Sequence, residues 1–209
     1  MPVGPVIRRM FGPFEHQITH AYREIYFNVD AYVEQLRHWV PAPKNILEVG
    51  CGEGAVTERL ARAFPEARIT AIDITPRVGR LYRGPTDRVR FLQCTAQEIA
   101  AREPGGYDLA MLVDVLHHVP LHLRQPLLDS VRETLGPSGA LVVKEWERTA
   151  TPIYWLCYAS DRWLTGDRIR YMRREEWRPT FAASFGEAAL VAEARTGPWR
   201  NNLVTLIRP

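Results

Sequence analysis

Residues 46–54 read Ile46-Leu47-Glu48-Val49-Gly50-Cys51-Gly52-Glu53-Gly54, and the ten that follow place Val56, Leu60, Ala63 and Phe64 on one side of a helix that stops at Pro65. A short apolar run with β-branched residues reads as a buried strand. Glycines then let the backbone turn sharply and let a ligand come close to it. Strand, glycine turn and helix in that order form the start of a strand–helix–strand unit.

Outward from this unit the punctuation is regular. On the N-terminal side, Asp30 to Val40 has helical spacing through Val33, Leu36 and Val40 and is ended by Pro41-Ala42-Pro43. On the C-terminal side, strands are expected at Arg68–Ile74, Val89–Cys94, Tyr107–Val113 and Ala140–Trp146. Between them the pattern predicts a short helical piece near Val78–Tyr82, a helix at Gln97–Arg102, and a helix through Leu123, Leu127, Leu128, Val131 and Leu135 with Pro126 in its first turn. Alternating strands and helices call for a parallel sheet covered on both faces. Ala188–Ala194 and Leu203–Ile207, joined through Gly197-Pro198 without a helix, read as an antiparallel hairpin on the sheet edge.

Composition narrows the class without naming a function. The chain has 209 residues, 46% hydrophobic and 24% charged, which suits a single globular domain. No apolar run is long enough to span a membrane, and Met1 to Arg9 lacks an apolar stretch of signal-peptide length. Cys51, Cys94 and Cys157 are odd in number and widely spaced, so a reducing, cytoplasmic setting is expected rather than a disulfide framework or a bound metal. The net charge of +3 is too mild to argue for nucleic acid. Lys44 and Lys144 are the only lysines; every other basic residue of that count is arginine.

The glycine turn points to a nucleoside ligand. Asp73 closes the second strand, where a carboxylate accepts hydrogen bonds from both ribose hydroxyls. Gly50, Gly52 and Ala55 also satisfy the dinucleotide pattern G-x-G-x-x-G/A. Glu48 separates the two ligands. A pyrophosphate gains nothing from a neighbouring carboxylate, whereas the ammonium group of S-adenosylmethionine does.

Taken together, these motifs resemble the class I S-adenosylmethionine-dependent methyltransferases. Glu48 to Gly54 is similar to their first motif and Asp73 to their ribose-binding acid; Cys94-Thr95-Ala96 lies where the third strand delivers adenine contacts. Asp108 to Val119 (DLAMLVDVLHHV) resembles the motif beside the transferred methyl, and Leu135-Gly136-Pro137-Ser138-Gly139 the turn before strand five, with Ser138 in place of a glycine. At Thr95 many relatives carry an aspartate. The resemblance implies a three-layer, Rossmann-like α/β sandwich whose seven-stranded, mostly parallel sheet has an antiparallel last strand. It also implies S-adenosyl-L-methionine as cofactor, with Glu48, Gly50, Cys51, Gly52, Asp73, Ile74, Thr95, Ala96, Asp114 and Tyr26 expected around it.

Methyl transfer aligns an activated donor with an acceptor, and an oxygen acceptor usually also needs a base. His117 and His118 follow strand four, where open α/β sheets bind ligands, and either suits that role. Glu145 ends strand five and either faces the pocket or is a plain strand-end carboxylate. The segment Phe11–Phe27, with His16, His20, Tyr22 and Tyr26, either folds over the cofactor or packs as a surface helix. Tyr154, Trp155, Tyr158 and Trp163 are expected to wall a pocket for a flat acceptor, with Arg168, Arg170, Arg173 and Arg174 as a clamp for an anion or as a solvated face.

The expected organisation is one domain: an N-terminal helical lid at 1–43, a cofactor-binding core at 44–146, a substrate-side insertion and helix at 147–186 and a terminal hairpin at 187–209. The function expected is methylation of a small molecule, on an oxygen of a secondary metabolite, with no nucleic-acid partner. A nucleic-acid methyltransferase, a nicotinamide-dependent oxidoreductase and a non-catalytic S-adenosylmethionine-binding module are the alternatives. Oligomeric state is not encoded in any motif.

Overall fold

The computed structural model describes residues 25–162 and 169–209. Seven strands form one sheet: β1 (Asn45–Val49), β2 (Arg68–Asp73), β3 (Val89–Gln93), β4 (Tyr107–Val113), β5 (Leu135–Trp146), β6 (Leu190–Thr196) and β7 (Asn202–Ile207). Their order is β3-β2-β1-β4-β5-β7-β6, parallel from β3 to β5, with β7 antiparallel to both β5 and β6. The hairpin thus inserts its second strand between β5 and the edge strand β6. The order reverses between β1 and β4, and that is where an open α/β sheet leaves a crevice for a ligand.

Helices α1 (Val29–Trp39), α2 (Ala55–Ala63), α3 (Ala96–Arg102), α4 (Leu121–Thr134), α5 (Pro152–Ser160) and α6 (Arg174–Phe185) complete the described elements used below. Successive strand residues point to opposite faces, so each buried strand serves two cores. On one face Ile46, Ile69, Leu109, Met111 and Val142 pack with Tyr32 and Leu36 of α1 and Val56 and Leu60 of α2. On the other, Leu47, Val49, Leu112, Leu141 and Val143 pack with Ile99 of α3, Leu128 and Val131 of α4, and Trp177 and Phe181 of α6. Alternation also puts Glu48 on the α1–α2 face, among apolar neighbours.

Local chemistry sets the helix starts. Asn28 caps α1 by accepting from the Ala31 amide at 2.8 Å. Thr95 caps α3 in a reciprocal box with Glu98. Gly54 caps α2 at φ +93°, a left-handed conformation that glycine adopts without penalty.

Three details differ from the sequence expectation. Residues 76–81 form turns, not a helix, around Gly79 at φ +67°. The fifth strand begins at Leu135, opposite Tyr107, because the Gly136–Gly139 turn is carried as an irregularity within the β4–β5 ladder. Pro126 lies in the second turn of α4, which starts at Leu121, so the helix forgoes the bond that residue would have donated to the His122 carbonyl. Among the described residues no helix is long and apolar enough to cross a membrane.

Candidate functional site

The glycine turn is pinned to the end of β2. The amides of Gly50 and Cys51 both donate to the Ile72 carbonyl, at 2.8 and 3.0 Å. Gly50 and Gly52 have φ of +77° and +54°. At Gly50 a Cβ would meet Val115 Cγ2 at 2.5 Å, so the loop after β4 lies directly against the turn. At Gly52 a Cβ would find nothing within 4 Å: the turn opens there onto free space.

Asp73 faces that opening. Its Oδ2 accepts from the Gly52 amide and its Oδ1 from the Thr75 amide, both at 2.8 Å. Two backbone donors orient the carboxylate, and each oxygen keeps a lone pair for a further hydroxyl. Ile74 is 73% exposed beside it, an apolar side chain with no packing of its own. Thr95 has its hydroxyl engaged in capping α3, donating to Glu98 Oε2 at 2.9 Å and accepting from the Glu98 amide at 3.2 Å. Ala96 and Cys51 are buried, and burial followed by the Glu48 and Asp73 charges pushes the Cys51 thiol far above its usual range.

On the α1–α2 face the site carries buried charge. Glu48 is 2% exposed and accepts from the Thr57 hydroxyl of α2 at 2.6 Å. Asp114, the residue after β4, sits at φ +56° and accepts from Lys144 Nζ at 2.6 Å. Lys144 is one of the two lysines, is 1% exposed, and lies over the Phe27 ring at 4.1 Å. Asp114, His117 and Glu145 offer donor atoms within 4.8 Å of one another, and the cation against Asp114 is the chain's own ammonium.

His117 and Glu145 form a buried pair. Nδ1 of His117 lies 2.7 Å from Glu145 Oε2, and both side chains are buried. Glu145 Oε1 accepts from the amides of Val115 and Leu116 at 3.1 and 2.6 Å. One carboxylate at the end of β5 therefore holds both the loop and the ring. With Nδ1–H donated to Glu145, Nε2 carries the lone pair. The His117 pKa is raised: burial lowers it, but the charge and hydrogen bond of Glu145, then Asp114 and Asp161, outweigh that. His118 is exposed, its ring 4.1 Å from that of His117.

The opposite wall comes from α5 and Tyr171. Tyr154, Cys157, Tyr158 and Asp161 recur at helical spacing on one face. Tyr154, Cys157, Tyr171 and Trp146 form a small buried cluster with Tyr26 and Tyr158 against it. The Tyr26 ring meets Trp146 edge-on at 6.1 Å. Tyr171 lies 4.7 Å from the His117 ring and its hydroxyl donates to Asp161 Oδ2.

Of the expected aromatic wall, Tyr154 is 5% exposed and packs inward, while Trp155 is 61% exposed on the outer side. Of the arginines expected as a clamp, Arg174 pairs with Glu193, and Arg173 is the N-cap residue of α6, its backbone amide donating to Glu176 Oε2 at 2.7 Å. Trp163, Arg168, His16, His20 and Tyr22 lie outside the described residues.

The fold thus brings together Glu48, Gly50, Gly52, Asp73, Asp114 and His117, with His118 at the rim. Sequence reading left the role of Glu145 open and missed those of Lys144, Asp161 and Tyr171. A lysine in the middle of an apolar strand, in a chain with only one other, was the available signal for the first of these three. Nothing local marked Asp161 or Tyr171.

Known proteins share sequence or fold with this chain. Residues 46–139 match the family described as "Methyltransferase domain". A ubiquinone biosynthesis O-methyltransferase of Xanthomonas campestris is 32% identical over 108 residues, 50% of this chain and 44% of that protein. A trans-aconitate 2-methyltransferase of Methylobacterium nodulans is 30% identical over 148 residues, 71% of this chain and 50% of that protein. The chain therefore spans about half the length, or less, of these curated relatives. Among solved structures, 1,6-didemethyltoxoflavin-N1-methyltransferase of Burkholderia thailandensis, with S-adenosylhomocysteine, shares the fold at TM-score 0.66 and 18% identity over 98% of this chain and 87% of that one. Human N-acetylserotonin methyltransferase, with S-adenosylmethionine, does so at TM-score 0.67 and 18% identity over 100% and 60%.

Proposed function

Since the chain belongs to the class I S-adenosylmethionine-dependent methyltransferases, we propose that it methylates an oxygen of a small molecule, with His117 as the general base. The observation that carries this reading is the His117–Glu145 pair on a loop that packs against the glycine turn through Val115.

The residues fit the cofactor. Gly52 leaves open space where a side chain would stand, Asp73 is aimed at that space with lone pairs to spare, and exposed Ile74 offers an apolar surface to a purine. Glu48 puts negative charge at the ammonium end, Asp114 is held by Lys144, and the Tyr26 ring meets Trp146 edge-on. When bound, S-adenosylmethionine supplies a sulfonium methyl that needs no further activation.

The protein's task is then alignment and proton removal. Glu145 holds the His117 ring in one tautomer, so that Nε2 takes the acceptor's hydroxyl proton as the oxygen gains its methyl. The resulting imidazolium is stabilised by the same carboxylate. The Lys144 ammonium neutralises Asp114, which limits the local excess of negative charge. Tyr154, Tyr158 and Tyr171 offer flat surfaces to an aromatic or conjugated acceptor. A metabolite of secondary biosynthesis, handled in the cytoplasm without nucleic acid, is the acceptor class this surface suits.

The test has two stages. Calorimetry should show S-adenosylmethionine and S-adenosylhomocysteine binding, with nicotinamide dinucleotides silent. A panel of hydroxylated aromatic acceptors should then yield S-adenosylhomocysteine, and His117→Ala should lose about 10²–10⁴ in turnover with cofactor affinity kept. Tight NADH binding without S-adenosylmethionine binding would falsify the reading.

A further inference from the structure

Lys144 lies on β5 opposite Val113 of β4 on one side and Val204 of β7 on the other, and its side chain is 1% exposed. An ammonium group taken out of water among apolar strands is costly unless it is paired. The Asp114 carboxylate at 2.6 Å and the face of the Phe27 ring at 4.1 Å compensate it. A buried ion pair adds little to stability over an apolar side chain of similar volume. The benefit of this one lies in the geometry it imposes.

That geometry concerns one residue. Asp114, at φ +56°, is the only non-glycine residue with positive φ among the described residues. L side chains enter that region at a cost. Lys144 holds Asp114 there twice: its carbonyl accepts from the Asp114 amide at 2.9 Å, and its ammonium donates to Asp114 Oδ2. Both tethers start from a residue fixed by ladders on two sides. The chain leaving Asp114 lays Val115 against Gly50, brings the Val115 and Leu116 amides to Glu145 Oε1 and sets the His117 ring on Glu145 Oε2. Consecutive side chains of a strand point to opposite faces, so Lys144 and Glu145 hold this loop from the two sides of the sheet.

We propose that Lys144 is a positioning residue for methyl transfer: by holding Asp114 in the left-handed region, it directs the loop that carries Val115 to the glycine turn and His117 to Glu145. Lys144 acts through Asp114 and not on the substrate. What the loop does for a bound cofactor and acceptor rests on the methyl-transfer reading; the hold on Asp114 does not.

The experiment follows amide hydrogen exchange of the complete chain by NMR, without ligand, at Val115 and Leu116, with Leu47 of β1 as reference. Lys144→Met keeps the length of the side chain and removes the ammonium, and Asp114, 34% exposed, stays within reach of water. Exchange at Val115 and Leu116 should quicken at least about tenfold, while Leu47 stays within about threefold of the wild type. Adding Asp114→Gly to that variant should restore slow exchange, because glycine adopts φ +56° unaided. By calorimetry, Lys144→Met should bind S-adenosylhomocysteine at least about threefold more weakly, because the loop against the glycine turn has lost its support. Unchanged exchange at Val115 and Leu116 in Lys144→Met overturns the proposal. So does equal acceleration at Leu47, which marks a general loss of stability, and so does fast exchange that persists in Lys144→Met/Asp114→Gly. Undiminished S-adenosylhomocysteine affinity in Lys144→Met overturns it too. If Lys144→Met fails to fold, Lys144→Met/Asp114→Ala takes its place, since it leaves no lone charge: it should exchange fast where Lys144→Met/Asp114→Gly is slow, and equal protection in the two overturns the proposal. Failure of the wild type to bind S-adenosylhomocysteine is a different result: it overturns the methyl-transfer reading and leaves the exchange result standing.

Discussion

Glu145 at the end of β5 and His117 in the loop after β4 are joined by a 2.7 Å contact between buried atoms, although 28 residues separate them in sequence. The other oxygen of the same carboxylate holds two amides of that loop. The pair clamps the loop that bears the histidine, and its protonation is readable in solution.

The His117 ring should titrate above its ordinary value of 6.5, which a histidine-selective NMR titration would show directly. Glu145→Gln keeps the shape and removes the charge, so the His117 pKa should fall below its wild-type value. A base must be neutral to act, so the acid limb of the rate profile should move to lower pH in that variant. A ring whose titration is the same in both proteins would remove Glu145 from the account.

Stability follows the opposite sign. A histidine whose pKa is raised on folding adds stability below its unfolded pKa and loses it as pH rises through the folded value. Melting temperature measured from pH 5 to 9 should show this histidine contribution decline above about pH 6.5 in the wild type. The His117→Ala protein should lack that component.

Asp73→Ala should weaken S-adenosylmethionine binding at least tenfold. Each hydrogen bond to a charged group contributes about 1.5–3 kcal/mol, and the carboxylate is placed for two. Calorimetry on the folded variant decides this, and undiminished affinity would take Asp73 out of the cofactor site.

The two glycines of the turn should separate folding from binding. Gly50→Ala drives a methyl into Val115 and strains a backbone at φ +77°, so its melting temperature should fall sharply. Gly52→Ala meets no atom within 4 Å and carries only the left-handed backbone cost of about 1–2 kcal/mol. It should fold, yet lose cofactor affinity, because its methyl occupies the space left for the ligand. Comparable affinity in Gly52→Ala and wild type would mean that the ligand lies elsewhere.

The aromatic residues of α5 divide the same way. Tyr154→Ala empties a buried position and should cost about 3–5 kcal/mol in thermal or denaturant unfolding. Trp155→Ala, at a 61% exposed site, should leave the melting temperature nearly unchanged. A large shift for Trp155→Ala would place that ring inside a packed interface.

By itself the sequence determined the layered α/β fold, the β1 turn, the carboxylate of Asp73 at the end of β2 and the position of the two histidines. All of these depend on local pattern: apolar strand runs, glycines where the backbone turns left-handed, and a carboxylate at a strand end. What the tertiary structure alone decided was partnership. It buried His117 and left His118 exposed, turned Glu145 from a strand-end carboxylate into the ring's anchor, and set Lys144 against Asp114. It also turned Trp155 outward and brought Asp161 beside Tyr171. These contacts join side chains far apart in the chain or on neighbouring strands. Which of two adjacent histidines meets a carboxylate depends on β4–β5 register and the path of the loop between them, and neither leaves a period or a motif in the amino-acid order.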